Sequence, residues 1–145
     1  MDFFTAMEVS ASGLAAERTR MNVASSNLAN VSTTQTEEGG PYRRRAVELS
    51  SVDTADTVSG ATAGGFSEAI KAVEVTGIVE DDGPPRLEYD PGHPDADING
   101  YVAYPNVNVV EEMVDMITAS RAYEAGITAL DTAVSMAERA VDIGG

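Results

Sequence analysis

The chain has no cysteine and no tryptophan, only three phenylalanines and five tyrosines, and a single histidine, His93. Without cysteine there is neither a disulfide framework nor a thiolate metal site. Few aromatics in 145 residues make one large central core hard to build, so much of the burial has to come from long stripes and from other subunits. Basic residues are scarce as well. Nine Lys and Arg stand against 24 Asp and Glu, a formal net charge of −15, and Lys71 is the sole lysine. Phosphate recognition needs clustered cations, so nucleic acid is excluded as a partner, and anionic membranes are disfavoured. No apolar run reaches the length of about 20 residues that a membrane span requires, so direct membrane insertion is not expected. The opening Met1-Asp2-Phe3-Phe4 lacks the basic leader and apolar core of a secretory signal peptide.

Two apolar stripes are present, one at each end. Val109, Met113, Met116, Ser120, Tyr123, Ile127, Leu130, Val134, Ala137 and Val141 step alternately by four and three residues, and only Ser120 among them is polar. That alternation is the seam of a helix packed along another helix, and at about 1.5 Å per residue it runs for roughly 50 Å. Its match lies at the opposite terminus, where Met7, Leu14, Met21 and Leu28 recur every seven residues beside Phe4, Ala11 and Ala15. Gly126 interrupts the second stripe and costs about 1 kcal/mol relative to alanine in a helix interior, a penalty the seam exceeds once a partner helix is present. Asn27 and Asn30, with the Ser32-Thr33-Thr34 run, favour caps and turns that end the first helix. Pro105 with Asn106 or Asn108 opens the second.

Between the helices the chain reads as a small acidic β unit. Residues 46 to 105 carry twelve acids against Lys71 and Arg86, a solvated surface suited to solubility. Val47, Leu49 and Val52 suggest a short strand, and residues 53 to 67, rich in Ser, Thr, Gly and Ala, a loose loop. A strand follows over Ile70 to Val79, with Val73, Val75 and Val79 expected on one face. Asp81-Asp82-Gly83-Pro84-Pro85 then reads as a turn returning that strand as a hairpin through Arg86-Leu87-Glu88-Tyr89. A Pro-rich loop from Asp90 to Asp95 leads to Tyr101-Val102-Ala103-Tyr104. The expected fold class is therefore α+β, with long N- and C-terminal helices forming a coiled-coil-like α-domain around a small central β unit. The domain boundaries are 1–34, 35–105 and 106–145.

Little in this pattern suggests catalysis. His93 sits between Gly92 and Pro94 without a companion and reads as a turn residue rather than an acid or base. Asp90, Asp95 and Asp97 lack calcium-loop spacing and the bidentate Glu that completes such a loop. Neither Gly39-Gly40 nor Gly64-Gly65 carries the Lys-Ser/Thr of a phosphate cradle. Arg43, Arg44 and Arg45 form the one basic cluster. Two readings of it stand open: a solvated turn, and an intersubunit ionic contact with an acidic neighbour.

The segment from Ser12-Gly13-Leu14 through Arg20-Met21-Asn22-Val23-Ala24-Ser25-Ser26-Asn27-Leu28-Ala29-Asn30, with Thr33-Thr34, resembles the N-terminal signature of bacterial flagellar axial proteins. GGPYRRR at 39–45, YDPGHPDAD at 89–97 and GYVAYPNVNVVEEMVDMITASRAYEA at 100–125 narrow the resemblance to the C-type proximal rod family. That family usually has Asn where this chain has Gly126, and Thr-Pro near Thr33-Thr34-Gln35. The resemblance implies a structural subunit of the flagellar basal-body rod in the periplasmic space, with no enzymatic activity and no cofactor. It further implies export through the flagellar type III apparatus, and assembly with itself and other rod proteins to transmit torque from motor to hook. On this reading the assembly seams are the two apolar stripes. The alternatives are another flagellar axial subunit and, more distantly, an acidic calcium-binding module.

Overall fold

The computed structural model describes residues 3–53 and 71–144. Two helices and four strands follow in the order α1 (Phe3–Ala29), β1 (Arg45–Asp53), β2 (Lys71–Glu80), β3 (Arg86–Tyr89), β4 (Tyr101–Tyr104) and α2 (Val109–Gly144). Asn27 at the end of α1 bonds Glu112 near the start of α2, while Leu14 abuts Gly126. The two helices therefore run antiparallel along each other, the pairing of terminal helices that the periodicity predicts. Among the described residues no helix is long and apolar enough to cross a membrane.

Local chemistry explains both helix ends. Asn30 closes α1 by donating twice to the Ser26 carbonyl, from its backbone amide at 3.1 Å and from Nδ2 at 2.9 Å. Asn108 opens α2, its Oδ1 accepting from the Val110 amide at 3.1 Å, and Glu111 and Glu112 place negative charge against the positive end of the helix dipole. Between the helices the chain turns at Gly39 and Gly40, whose φ angles of 91° and 79° are open to glycine without strain.

The β unit consists of two separate two-stranded antiparallel sheets, β1 with β2 and β3 with β4. This corrects the expected hairpin of residues 70–79 with 86–89. One edge of β2 is taken by β1, which is longer than Val47 to Val52 suggests, and on its other edge the Val73 amide donates to Ser12 Oγ of α1 at 3.2 Å. Pro84 and Pro85, without amide hydrogens, end the possibility of a ladder there. β3 instead pairs across the Pro-rich loop with β4.

A second correction concerns the face of β2. The register slips between Glu48 and Leu49, so that Ala46 opposes Val79 but Leu49 opposes Val75. The bulge reverses the alternation, placing Val79 on the face opposite Val73 and Val75. Asp53 belongs to β1 rather than to a loop; the rest of the expected 53–67 loop, with Ile70 and Gly64-Gly65, lies outside the described residues.

Candidate assembly interface

The best-buried polar groups in the described chain lie where α1, the linker, β1 and α2 converge. Asn27 is 0% exposed and Glu112 1%. A buried amide or carboxylate is tolerated only when its polar atoms have hydrogen-bond partners, and every one of these does. Asn27 Nδ2 donates to the Arg45 carbonyl at 2.8 Å and to Glu112 Oε2 at 2.9 Å. Its Oδ1 accepts from the Tyr42 hydroxyl and the Arg45 amide, each at 2.9 Å. The other carboxylate oxygen of Glu112 accepts from Arg44 Nε at 2.6 Å. This clasp ties three stretches remote in sequence, around residues 27, 42–45 and 112, into one register.

Beside the clasp lies a cleft of about 210 Å³ whose lining includes Arg20, Ala24, Arg44, Val47 and Asp115. Its charges are balanced internally: Asp115 is 4.0 Å from both Arg20 and Arg44, and Arg20 is held by Glu17 at 3.1 Å. No nucleophile is placed there against a base. The acidic loop is equally committed to its own backbone. Asp90 and Asp97 accept amides two residues on, and Asp95 accepts from Thr34 Oγ1 at 2.7 Å. Asp97 also accepts the Tyr101 amide at 2.9 Å, and that bond is the main cause holding its carboxyl below the ordinary value. His93 accepts the Asp95 amide at Nδ1, 3.1 Å away, as a turn residue does.

Each residue of the basic cluster finds an acid within the chain. Arg43 pairs with Asp82 at 2.8 Å, Arg44 with Glu112, and Arg45 with Glu80 at 3.1 Å. Arg44 is thus a structural member of the clasp, whereas Arg43 and Arg45 lie at the surface.

The seam residues divide in a way that periodicity alone does not reveal. On α2, Met116, Tyr123, Leu130, Val134 and Ala137 are half-buried, whereas Val109, Met113, Ile127 and Val141 are exposed. The positions deepest in the fold are Glu112 and Ala119, and Gly126 meets Leu14 so closely that a β-carbon would lie 2.8 Å from its Cδ2. Each of these three precedes an expected seam residue by one, a turn of about 100° round the helix. The stripe is wider than α1 covers, and α1 lies over one edge of it. On α1, Met7, Leu14, Met21 and Leu28 are half-buried, while Ala16, Val23, Ala24 and Asn27 are the buried set. Small residues there admit close approach.

Comparison with known proteins agrees over almost the entire chain. A family model for flagella basal body rod proteins matches residues 7–35, and one for the flagellar basal body rod FlgEFG protein C-terminal region matches residues 98–143. These are α1 with its exit, and β4 with nearly all of α2. The flagellar basal-body rod protein FlgC of Borreliella burgdorferi is 43% identical across 99% of this chain and 98% of its own. Those of Bacillus subtilis and Salmonella typhimurium are 42% and 40% identical, each alignment covering 99% of both chains. The chain belongs to the FlgC family of flagellar basal-body rod proteins. It is a structural subunit of the basal-body rod, as the resemblance of its terminal segments implies.

Asn27 and Glu112 were not legible as a pair. Asn27 reads as a cap residue and Glu112 as first-turn acid; the one available signal was that Glu112 occupies the helix face shared by Ala119, Gly126 and Leu130.

Proposed function

We propose that this FlgC-family chain builds the rod by packing the uncovered edge of its α2 stripe against helices of neighbouring subunits, itself and other rod proteins, so that torque passes from motor to hook through many side-by-side seams. The observation that carries this reading is the width of the stripe: α1 shelters Met116, Tyr123 and Leu130, yet Met113 is 49%, Ile127 38% and Val141 74% exposed. A monomer gains nothing from apolar side chains held in water along about eight turns, whereas a neighbouring helix would bury them at about 1.5–3 kcal/mol for each fully covered large side chain. The internally compensated cleft supports a structural, non-enzymatic role. Membership of the family supports export through the flagellar type III apparatus into the periplasmic space. Arg43 and Arg45, at the surface, are available to an acidic neighbour as an additional contact.

The test is Met113→Asp with Ile127→Asp, introduced where the native gene has been removed. Both side chains are exposed, so the isolated chain keeps its fold and melting temperature, but buried unpaired carboxylates at the seam exclude it from the basal body and abolish swimming. Glu111→Gln, exposed on another side of α2, is the control. Swimming equal to the control would rule the seam out.

A further inference from the structure

The β3–β4 ribbon presents a second surface that the helical stripes do not include. Pairing of Leu87 with Ala103 and of Tyr89 with Tyr101 puts these four residues on one face, leaving Arg86, Glu88, Val102 and Tyr104 on the other. Val102 is fully buried, so its face is the inward one. The outward face leaves Leu87 65%, Tyr89 64% and Tyr101 44% exposed. The two tyrosine rings meet edge to face at 5.3 Å, which fixes their orientation. Rigid exposed aromatics beside a leucine have the composition of an interface centre. The surrounding chain is strongly acidic: from Asp81 to Asp97 there are six carboxylates and one cation, Arg86.

A chemically reciprocal surface lies on α2. Val110, Val114, Ile117 and Arg121 follow one another by three or four residues, and at about 100° per residue they lie opposite the edge that carries Glu112 and Ala119. All four are exposed. In a chain this acidic, Arg121 makes no ion pair among the described residues. We propose that the outward face of the β3–β4 ribbon of one copy docks on the Val110–Val114–Ile117–Arg121 stripe of a second copy of this chain. Tyrosine and leucine meet the valines and isoleucine, and the acidic surroundings of the ribbon meet Arg121. The two patches are different surfaces. The contact is therefore head-to-tail, and repetition gives a ring or an open helix rather than a closed pair. The proposal rests on the rod-subunit reading and adds to it a lateral contact distinct from the helical seam.

A chain without cysteine makes the test direct. Full-length Leu87→Cys with Ile117→Cys, expressed in place of the native subunit, should give a disulfide ladder of dimers, trimers and larger species when isolated basal bodies are oxidised. Each single variant should stay monomeric on the gel. Tyr89→Cys with Val114→Cys, also exposed, serves as a second pair if the first fails to incorporate. No ladder from either pair, in basal bodies that contain the chain and in cells that swim, overturns the proposal and leaves the rod reading intact. Dimers from Leu87→Cys alone overturn it too, since ribbon would then be meeting ribbon. So would capture of another basal-body protein, rather than α2 of this chain, by a photoreactive residue at position 87. If the unsubstituted chain is missing from basal bodies, the rod reading itself fails and the proposal with it.

Discussion

The two ends of the α1–α2 pair are built on opposite plans. Near residue 112 the chain buries a carboxylate, an amide and a phenol, gives each of their polar atoms a partner, and draws on α1, linker, β1 and α2 to do so. Beyond Leu130 no residue of α2 is buried; Met136 is 66% and Ile143 88% exposed, and α1 ends before it reaches the last turns. At one end the buried polar groups are satisfied within a single subunit. At the other end Val134 and Ala137 are only half-buried and the apolar residues beyond them are exposed. A rod subunit needs this division, because the clasp fixes helix register before assembly whereas the open end gains its stability only from neighbours.

The largest expected effect breaks the clasp. Glu112→Ala leaves the Nε–H of Arg44 and one Asn27 hydrogen without an acceptor, and removing one partner of a buried ion pair costs about 3–5 kcal/mol. Arg44 reaches solvent, so the lower end of that range is expected. Denaturant unfolding of Glu111→Ala, one residue away and exposed, should show a change within about 0.5 kcal/mol. Equal losses for the two variants would mean the clasp does not hold the fold. At the open end the expectation reverses: Val141→Ser with Ile143→Ser should leave the isolated chain's stability unchanged while reducing incorporation into basal bodies.

The same contrast should be visible without mutation. In hydrogen exchange on the dilute chain, amides from Met116 to Tyr123 should be protected and those from Val134 to Ile143 should exchange close to the unfolded rate, since a lone helical end has little beyond its own marginal propensity to hold it. Uniform protection along α2 would erase the distinction between the ends.

Salt should act on the open end more than on the clasp. Subunits of charge −15 repel when packed side by side, and the screening length falls from about 30 Å at 0.01 M to about 3 Å at 1 M. Self-association measured by sedimentation should therefore strengthen towards molar salt. Weakening would show that surface ion pairs of the kind Arg43 and Arg45 can make dominate instead.

How much was legible in the sequence follows from which interactions are local. Both helices, a cap at Asn106 or Asn108 and the strand-forming segments could be read, because each depends on neighbours within a few residues; the Val110 amide on Asn108 Oδ1 decides between the two caps. The strand partners could not, since the choice between β2 and β4 as the mate of β3 depends on α1 occupying an edge of β2 through Ser12. The orientation of α2 was also hidden. A stripe wider than one helix can cover gives no sign of which edge turns inward, and the inward edge contains Glu112 and Gly126, two residues that look wrong for a seam until Asn27 and Leu14 are placed against them.

That fit between Gly126 and Leu14 leads to a smaller effect. Gly126→Ala should gain about 1 kcal/mol in helix propensity, yet the new methyl would press on Leu14 Cδ2, and crowding in a packed interface costs a comparable 1–3 kcal/mol. In the unsubstituted chain the change should be neutral or unfavourable. With Leu14→Ala the obstruction is gone, and the same substitution should stabilise by about 1 kcal/mol. A double-mutant cycle with no coupling would show that the close approach carries no energy.

The smallest effect belongs to the loop between β3 and β4. The Asp97 carboxylate accepts the amides of Asn99 and Tyr101 at 2.8 and 2.9 Å, and its pKa is lowered, chiefly by the Tyr101 bond. A lowered folded-state pKa means that the ionised form stabilises the loop above the ordinary aspartate value, and that this contribution disappears as pH falls through the folded value. Amide shifts of Asn99 and Tyr101 should therefore titrate together, with a midpoint below the ordinary value of about 3.9. In Asp97→Asn neither amide should show that transition, because an amide side chain still accepts the bonds but has no proton to gain in this range. A midpoint at or above the ordinary value in the unsubstituted chain would show that the two amides do not hold the charge, and that the turn rests on its backbone bonds from Gly100 to Asp97 and from Asp97 to Tyr101 alone.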